Sequence, residues 1–262
     1  MARFCTLFSG SSGNSTYMGT ASEGILIDTG MSAKQITTAL DAVGMTPASI
    51  KAIFITHEHI DHIKGLRVFA ARNHIKVYAT GGTLHFLENN GHLLGVDAYD
   101  AITPDGIALN TMQITPFRTS HDAAESVGYR VEFSDGRVAA VATDTGIATP
   151  EFLNGIRGTD LVLLESNHDL RMLRYGPYPE PLKRRILSRL GHLSNVDCAA
   201  VATNLMETGT TRFVLGHLSR TNNTPEAARE TTLTSLTAVG GAEGMDFLLS
   251  VAPVSGGSLT VF

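Results

Sequence analysis

Cysteine is nearly absent: Cys5 and Cys198 are the only two in 262 residues. They lack C-x-x-C spacing, which argues against a disulfide framework and against a cysteine-built zinc site. No apolar run approaches the ~20 residues that cross a bilayer, so no membrane span is expected. Charged residues make up only 17% of the chain, against 43% hydrophobic, too few for long disordered tails. An excess of basic charge is missing as well. The net charge of −5 exerts no global pull on nucleic acid or anionic membrane. A polyanion would have to be met by a local basic patch or by bound metal. The opening Met1-Ala2-Arg3-Phe4-Cys5-Thr6-Leu7-Phe8 is too short and too strand-like for a signal peptide. No linker, low-complexity stretch or short repeat divides the chain. These absences leave the expectation of a single cytoplasmic domain over residues 1–262, with apolar residues enough for one large core.

What is present is an alternation of strand-like and helical segments. Phe4–Ser9 and Gly24–Asp28 read as a hairpin joined by a Gly/Ser-rich stretch. Ser32 and Gln35 have capping-box spacing ahead of the apolar stripe Ile36, Leu40, Val43, which predicts a helix after Ser32. Ala52–Thr56 reads as a buried strand, Ile63–Asn73 as a helix and Lys76–Ala79 as a short strand. Met112–Phe117, Val127–Phe133 and Val138–Thr143 follow as strands, the last two joined by a turn at Asp135-Gly136. Asp160–Glu165 and Arg212–Leu218 are further strands, and Leu182–Leu190 and Val196–Glu207 read as helices. Thr224-Pro225 opens another helix, with Thr as cap and Pro at the first position. Phe247–Val251 and Leu259–Phe262 close the chain as strands. This order predicts an α/β (α+β) fold, two packed sheets covered by helices on both outer faces.

The densest chemistry lies at residues 57–62, His-Glu-His-Ile-Asp-His, directly after the apolar run Ala52-Ile53-Phe54-Ile55-Thr56. Neutral imidazole and carboxylate are ligands for zinc, manganese or iron(II). The spacing H-x-H-x-D-H can divide between two metals, with His57 and His59 on one side and Asp61 and His62 on the other. Further candidates each follow a strand: Asp28, His121, Asp144 and His217. Asp28 and Asp144 are both followed by Thr-Gly. Side chains at strand ends are held on rigid elements.

Asp28, the 57–62 motif, His121, Asp144 and His217 together resemble the metallo-β-lactamase fold superfamily, over essentially the whole chain. That resemblance implies a four-layer αββα sandwich holding two divalent metal ions. His57, His59, His121 and Asp144 would hold one, and Asp61, His62, Asp144 and His217 the other, with Asp144 bridging. Asp28 would fix the motif loop through hydrogen bonds. Asp144 departs from the classical β-lactamases, which carry Cys there. An insertion found in larger nucleases of the superfamily is missing, because too few residues separate Asp144 from His217. Four more stretches are similar to the YycJ (or WalJ) group, which is linked to 5′→3′ DNA exonuclease activity. They are Ser9-Gly10-Ser11-Ser12-Gly13-Asn14-Ser15, Glu165-Ser166-Asn167-His168-Asp169, Gly191-His192-Leu193-Ser194-Asn195, and Gly216-His217-Leu218-Ser219 with Asn222-Asn223-Thr224-Pro225-Glu226. Gly191-His192-Leu193-Ser194 also resembles the Gly-His-Ser-Thr of tRNA 3′-end-processing ribonucleases, whose His lies at the scissile phosphate. It departs at Leu193.

The implied chemistry is a two-metal, in-line displacement at phosphorus by metal-bound hydroxide. Asp61 would orient or deprotonate the attacking water, and His192 would donate to the leaving or nonbridging oxygen. Zinc or manganese is expected, with iron also suited to the shells, and DNA more than RNA as substrate. Local help comes from Arg171, Arg174, Lys183, Arg184, Arg185 and Arg189, which face one acid, Glu180, and are interleaved with Tyr175 and Tyr178. Such a stretch suits phosphates and stacked bases. Ser12, Asn14, His168, Ser194 and Arg184 are the expected substrate contacts, while His74, His85 and His92 have no partners of this kind. The rival reading is a hydrolase of a small ester, thioester, lactone or cyclic phosphodiester on the same residues. An iron-bearing redox module lacks its flavin domain, and a purely structural site would close on four ligands.

Overall fold

The computed structural model describes residues 1–262. In chain order the elements begin with β1 (Arg3–Phe8), β2 (Ser15–Gly19), β3 (Gly24–Ile27), α1 (Ala33–Ala42), β4 (Ile50–Phe54), α2 (Ile60–Ile63) and α3 (Leu66–Asn73). Next come β5 (Lys76–Ala79), α4 (Gly81–Asn89), β6 (Tyr99–Ala101), β7 (Ile107–Ala108), β8 (Met112–Arg118), β9 (Val127–Phe133) and β10 (Val138–Ala142). The remainder are α5 (Pro150–Ile156), β11 (Leu161–Glu165), α6 (Leu170–Tyr175), α7 (Glu180–Ile186), α8 (Asn195–Glu207), β12 (Arg212–Gly216), α9 (Pro225–Ala238), β13 (Leu248–Val251) and β14 (Thr260–Val261). The chain forms two compact units woven from alternating segments. Met1–Pro116, Ala123–Arg137 and Pro253–Phe262 make the first, and Phe117–Asp122 and Val138–Ala252 make the second.

The strands belong to two sheets. One lies wholly in the first unit, in the order β14-β1-β2-β3-β4-β5-β6. Its β1, β2 and β3 run antiparallel, whereas β3 through β6 run parallel. The expected hairpin of Phe4–Ser9 with Gly24–Asp28 is therefore a three-strand meander. Ser15–Gly19 lies between them as β2, every residue of it buried. Ile36 and Leu40 of α1 join Leu66 and Phe69 of α3 and Leu84 and Leu87 of α4 over Leu26, Ile53 and Val77 in this unit's core. Burial of each such side chain contributes roughly 1.5–3 kcal/mol. Ser32 caps α1 as expected, accepting from the Gln35 amide at 3.4 Å.

The second unit holds the parallel run β13-β12-β11-β10 of the other sheet. Val-Ala-Ala-Val-Ala of β10 and Leu-Val-Leu-Leu of β11 are unbroken apolar runs, as strands covered on both faces require. Phe152 and Ile156 of α5, Val201 and Leu205 of α8, and Ala228 and Leu236 of α9 pack on Ala140, Leu164, Phe213 and Leu215. The helix expected over Leu182–Leu190 stops at Ile186. There the chain doubles back, and the His192 amide donates to the Ile186 carbonyl at 3.0 Å. A Cβ on Gly191 would lie 2.1 Å from that same carbonyl, so only glycine permits the return. In both units the parallel strands deliver their candidate residues at their carboxyl ends, the usual place for a site in α/β sheets.

Candidate metal centre

In the first unit β3 ends and Asp28 turns into the left-handed region, at φ 62°. Its amide donates to the Phe54 carbonyl at the end of β4, 2.9 Å away. Asp28 Oδ1 accepts from the Thr56 amide, and Oδ2 from Thr56 Oγ1, both at 2.9 Å. Oδ2 also receives His62 Nδ1 at 2.8 Å. Because the carboxylate only accepts, the ring proton sits on Nδ1 and His62 offers Nε2. Burial pushes the Asp28 carboxyl up, and His62 and Thr56 pull it partly back. His57 and His62 are fully buried, their rings 4.1 Å apart, and His59 packs against His57 at 4.6 Å. Asp61 stands in the first turn of α2, half-buried.

The next two residues of the Asp-Thr-Gly run staple this loop. Thr29 N–H donates to the His62 carbonyl and Gly65 N–H to the Thr29 carbonyl, each at 2.8 Å. Gly30 is a forced choice, since a Cβ there would lie 1.7 Å from the Asp61 carbonyl oxygen. Asn14 closes the same loop, its amide donating to the Asp61 carbonyl at 2.8 Å. Gly10 N–H donates to Asn14 Oδ1 at 2.9 Å, which aims Nδ2 at His62 Nε2, 3.1 Å away, and at Asp61 Oδ2, 3.4 Å away. Ser12 is half-buried in the same Gly/Ser loop.

The second unit repeats the device. Asp144, again before Thr-Gly, has φ 58°, and His217 after β12 has φ 55°. Left-handed backbone is uncommon outside glycine and marks strained, functional positions. His121 Nε2, His192 Nδ1 and His217 Nε2 lie 3.9, 3.7 and 3.5 Å from Asp144 Oδ1. His121 donates through Nδ1 to the Gly191 carbonyl at 3.0 Å, and burial pushes its ring pKa down against the pull of Asp144.

Glu165, absent from the expected site residues, is central here. It ends β11 fully buried. Its Oε1 accepts His192 Nδ1 at 2.7 Å and His217 Nδ1 at 2.9 Å. Its Oε2 accepts the Thr145 and Leu193 amides at 3.0 and 3.2 Å. Burial alone would raise this carboxyl, but the charge and hydrogen bonds of His192 and His217 outweigh it and hold it well below the usual range. The sequence signal was a carboxylate closing the apolar run Leu161–Leu164, a costly placement unless the charge is met.

The similar stretches at 165–169, 191–195 and 216–226 converge on one buried polar network. Ser166 donates to Asn195 Oδ1 at 2.7 Å, and Asn195 and Asn223 exchange amide bonds at 2.9 and 2.8 Å. Asn167 Nδ2 donates to the His217 carbonyl at 2.9 Å, fixing the strained residue. His168 is 1% exposed with neither ring nitrogen bonded. Ser194 caps α8, its hydroxyl between the Asp197 amide and carboxylate. These two positions therefore belong to the packing behind His192 rather than to an open wall. Arg184 is exposed, whereas Arg185 is held by Asp122 in a two-point contact at 2.5 and 2.8 Å.

This donor set fits divalent metal. The Nδ1 atoms of His62, His121 and His217 are each engaged by an oxygen, which orients Nε2 as the ligand atom, the usual support of metal-bound histidine. Asp144 Oδ1 lies 3.9 Å from His121 Nε2 and 3.5 Å from His217 Nε2, close enough to share an ion with either.

The Beta-lactamase superfamily domain matches residues 24–218, and the chain belongs to that superfamily as a metal-dependent hydrolase. Its relatives are more particular. It is 38% identical over 248 residues to the exodeoxyribonuclease WalJ of Streptococcus pneumoniae, covering 94% of this chain and 92% of that one. It is 37% identical over 230 residues to the exodeoxyribonuclease YycJ of Bacillus anthracis, covering 86% of each, and is a member of their family. In structure it is similar to the metallo-β-lactamase fold protein YhfI of Bacillus subtilis, with a TM-score of 0.75 at 14% identity over 99% of this chain and 98% of that one. The mixed α/β fold of two sheets and helices read from the sequence is the fold observed.

Proposed function

We propose that the chain is a two-metal exonuclease acting on DNA in the 5′→3′ direction. The 262 residues would work as one domain, because its two units are built from alternating segments. We place it in the cytoplasm; no helix is long and apolar enough to cross a membrane. His57, His59, His121 and Asp144 would hold one ion, and Asp61, His62, Asp144 and His217 the other. Imidazole and carboxylate donors suit zinc or manganese. When bound, the ions supply Lewis acidity and lower the pKa of water.

The residues of the chain do the rest. Asp61 orients the attacking water, and Asn14 Nδ2 presents an amide donor beside it for a phosphate oxygen. His192 carries the reading. Glu165 grips Nδ1 of both His217 and His192, but only His192 keeps a partly exposed side chain, at 13% against 4%. With Nδ1 held, Nε2 is the atom His192 offers to the leaving or nonbridging oxygen.

The test is hydrolysis of end-labelled single- and double-stranded DNA and RNA with manganese or zinc, comparing wild type with His59→Ala and His192→Ala. Release of nucleotides from the 5′ end of DNA, abolished by His59→Ala and reduced about 10²–10⁴-fold by His192→Ala, is expected. Turnover of a small thioester or phosphodiester with no cleavage of any polynucleotide would overturn the proposal.

A further inference from the structure

Six of the 20 Lys and Arg residues lie between 171 and 189, on a chain whose net charge is −5. The structure divides them. Arg185 is bound by Asp122. Lys183 reaches Glu180 at 3.2 Å and the Arg174 carbonyl at 2.9 Å. The only acid of the stretch is thereby engaged. Arg171, Arg174, Arg184 and Arg189 are exposed, and their guanidinium groups have no carboxylate partner. Beside them Tyr175, at the end of α6, is 79% exposed. A tyrosine ring left in water next to Arg174 in the chain contributes nothing to the core.

This surface leads to the site. The 187–191 segment that follows α7 and delivers His192 is bonded to the His121 loop at three points. Ser120 Oγ donates to the Arg189 carbonyl at 2.8 Å, the Asp122 amide to the Leu190 carbonyl at 3.1 Å, and His121 Nδ1 to the Gly191 carbonyl at 3.0 Å. Arg189 and exposed Leu190 thus stand at the rim of the His121 loop. A cavity of about 470 Å³, lined by Arg118, Ser120, His121, Pro150, Glu151 and Leu190, opens there. It is large enough for one nucleotide.

We propose that α6, the turn after it, α7 and the 187–191 segment form a track for single-stranded DNA that ends in the cavity beside His121. The inference rests on the nuclease reading for its class of ligand. Unpaired guanidinium groups recognise the phosphates, and Tyr175 recognises a base face. Base faces inside a duplex are covered by their neighbours, so the ring is reached along a single strand and, in a duplex, only at its end. On a chain of net charge −5, a local cluster of unpaired guanidinium groups is what draws a phosphate backbone to this face.

The test is equilibrium binding, by fluorescence anisotropy, of a labelled phosphorothioate oligothymidine and of a duplex to the metal-loaded protein across a salt series. Wild type is expected to prefer the single strand. Arg174→Glu with Arg184→Glu should weaken that strand more than tenfold and reduce the salt slope by about 1.4, the share of two phosphates on a single strand. Tyr175→Ala should weaken it roughly 5- to 100-fold and Tyr175→Phe should not, because stacking needs the ring and not the hydroxyl. All these side chains are exposed, so a circular dichroism spectrum like that of wild type is expected for each. Unchanged affinity and salt slope in the charge-reversed protein, or equal loss in the Ala and Phe variants, overturns the track. DNA cleavage by wild type then leaves the nuclease reading standing, whereas strand binding through these residues without cleavage retains the track and removes that reading.

Discussion

A carboxylate buried at the end of an apolar strand must be met by donors or the fold loses several kcal/mol. Glu165 is met by four, two of them from imidazoles 27 and 52 positions away. That distance is why the residue was legible as part of a motif and not as the partner of His192 and His217: nothing local announces the contact. The proposed ligands stood out because strand-end His and Asp accompany the His-rich 57–62 motif. The left-handed backbone of Asp28, Asp144 and His217 was only hinted at, by the repeated Asp-Thr-Gly and by the tolerance of Asp for that region. We expect Glu165→Gln to lower metal affinity about 10–100-fold, measured by competition with a chromophoric chelator. The amide offers one acceptor where the carboxylate offers two, so His217 loses its fixed orientation. An affinity equal to wild type would remove this role.

Among the elements, the strands were legible where unbroken apolar runs announced burial on both faces. Failures came where a tertiary contact decided. β2 is hidden by its Gly/Ser neighbours, and α7 ends early because the chain returns over its own carbonyls. The Gly30 turn is a contact of the same kind. Gly30→Ala would drive its Cβ into the Asp61 carbonyl and the Asn14 amide, 1.7 and 2.5 Å away. The expected cost is roughly 3 kcal/mol, the upper part of the range for overpacking, read from urea midpoints. A cost below 0.5 kcal/mol would show that the α2 loop gives way freely. The polar network after β11 carries a pH dependence. Burial pushes the His168 ring down to about 4, against about 6.5 in an unfolded chain. Below pH 6.5 the unfolded state therefore binds a proton that the folded state refuses, and stability falls with pH until about 4. At pH 5 the loss is roughly 2 kcal/mol. Urea unfolding at pH 7 and pH 5 should show this loss in wild type and much less of it in His168→Gln. Equal losses would place the effect elsewhere.

For the whole molecule, the superfamily was legible from five motifs, but the weaving of the chain into two units was not. Periodicity describes segments, whereas weaving depends on which segments meet. Metal held by side chains that only the folded chain brings together must stabilise that fold by mass action. With free metal at about 100 times its Kd, removal by a chelator should cost about 2.7 kcal/mol, or about 5–10 °C in Tm for a chain near this size. A melting curve indifferent to chelator and to added zinc or manganese would argue against tight metal binding. The first unit adds a consequence of timing. Arg3 and Phe4 of β1 pair with Val261 and Thr260 of β14, the Phe262 amide donates to the Ala2 carbonyl, and the Phe262 ring meets Phe133 edge-on. During synthesis β1 thus keeps one bare edge until β14, encoded far later in the chain, arrives to cover it. For that interval a chaperone, or the strand of another nascent chain, finds on β1 the hydrogen bonds that the native fold reserves for β14.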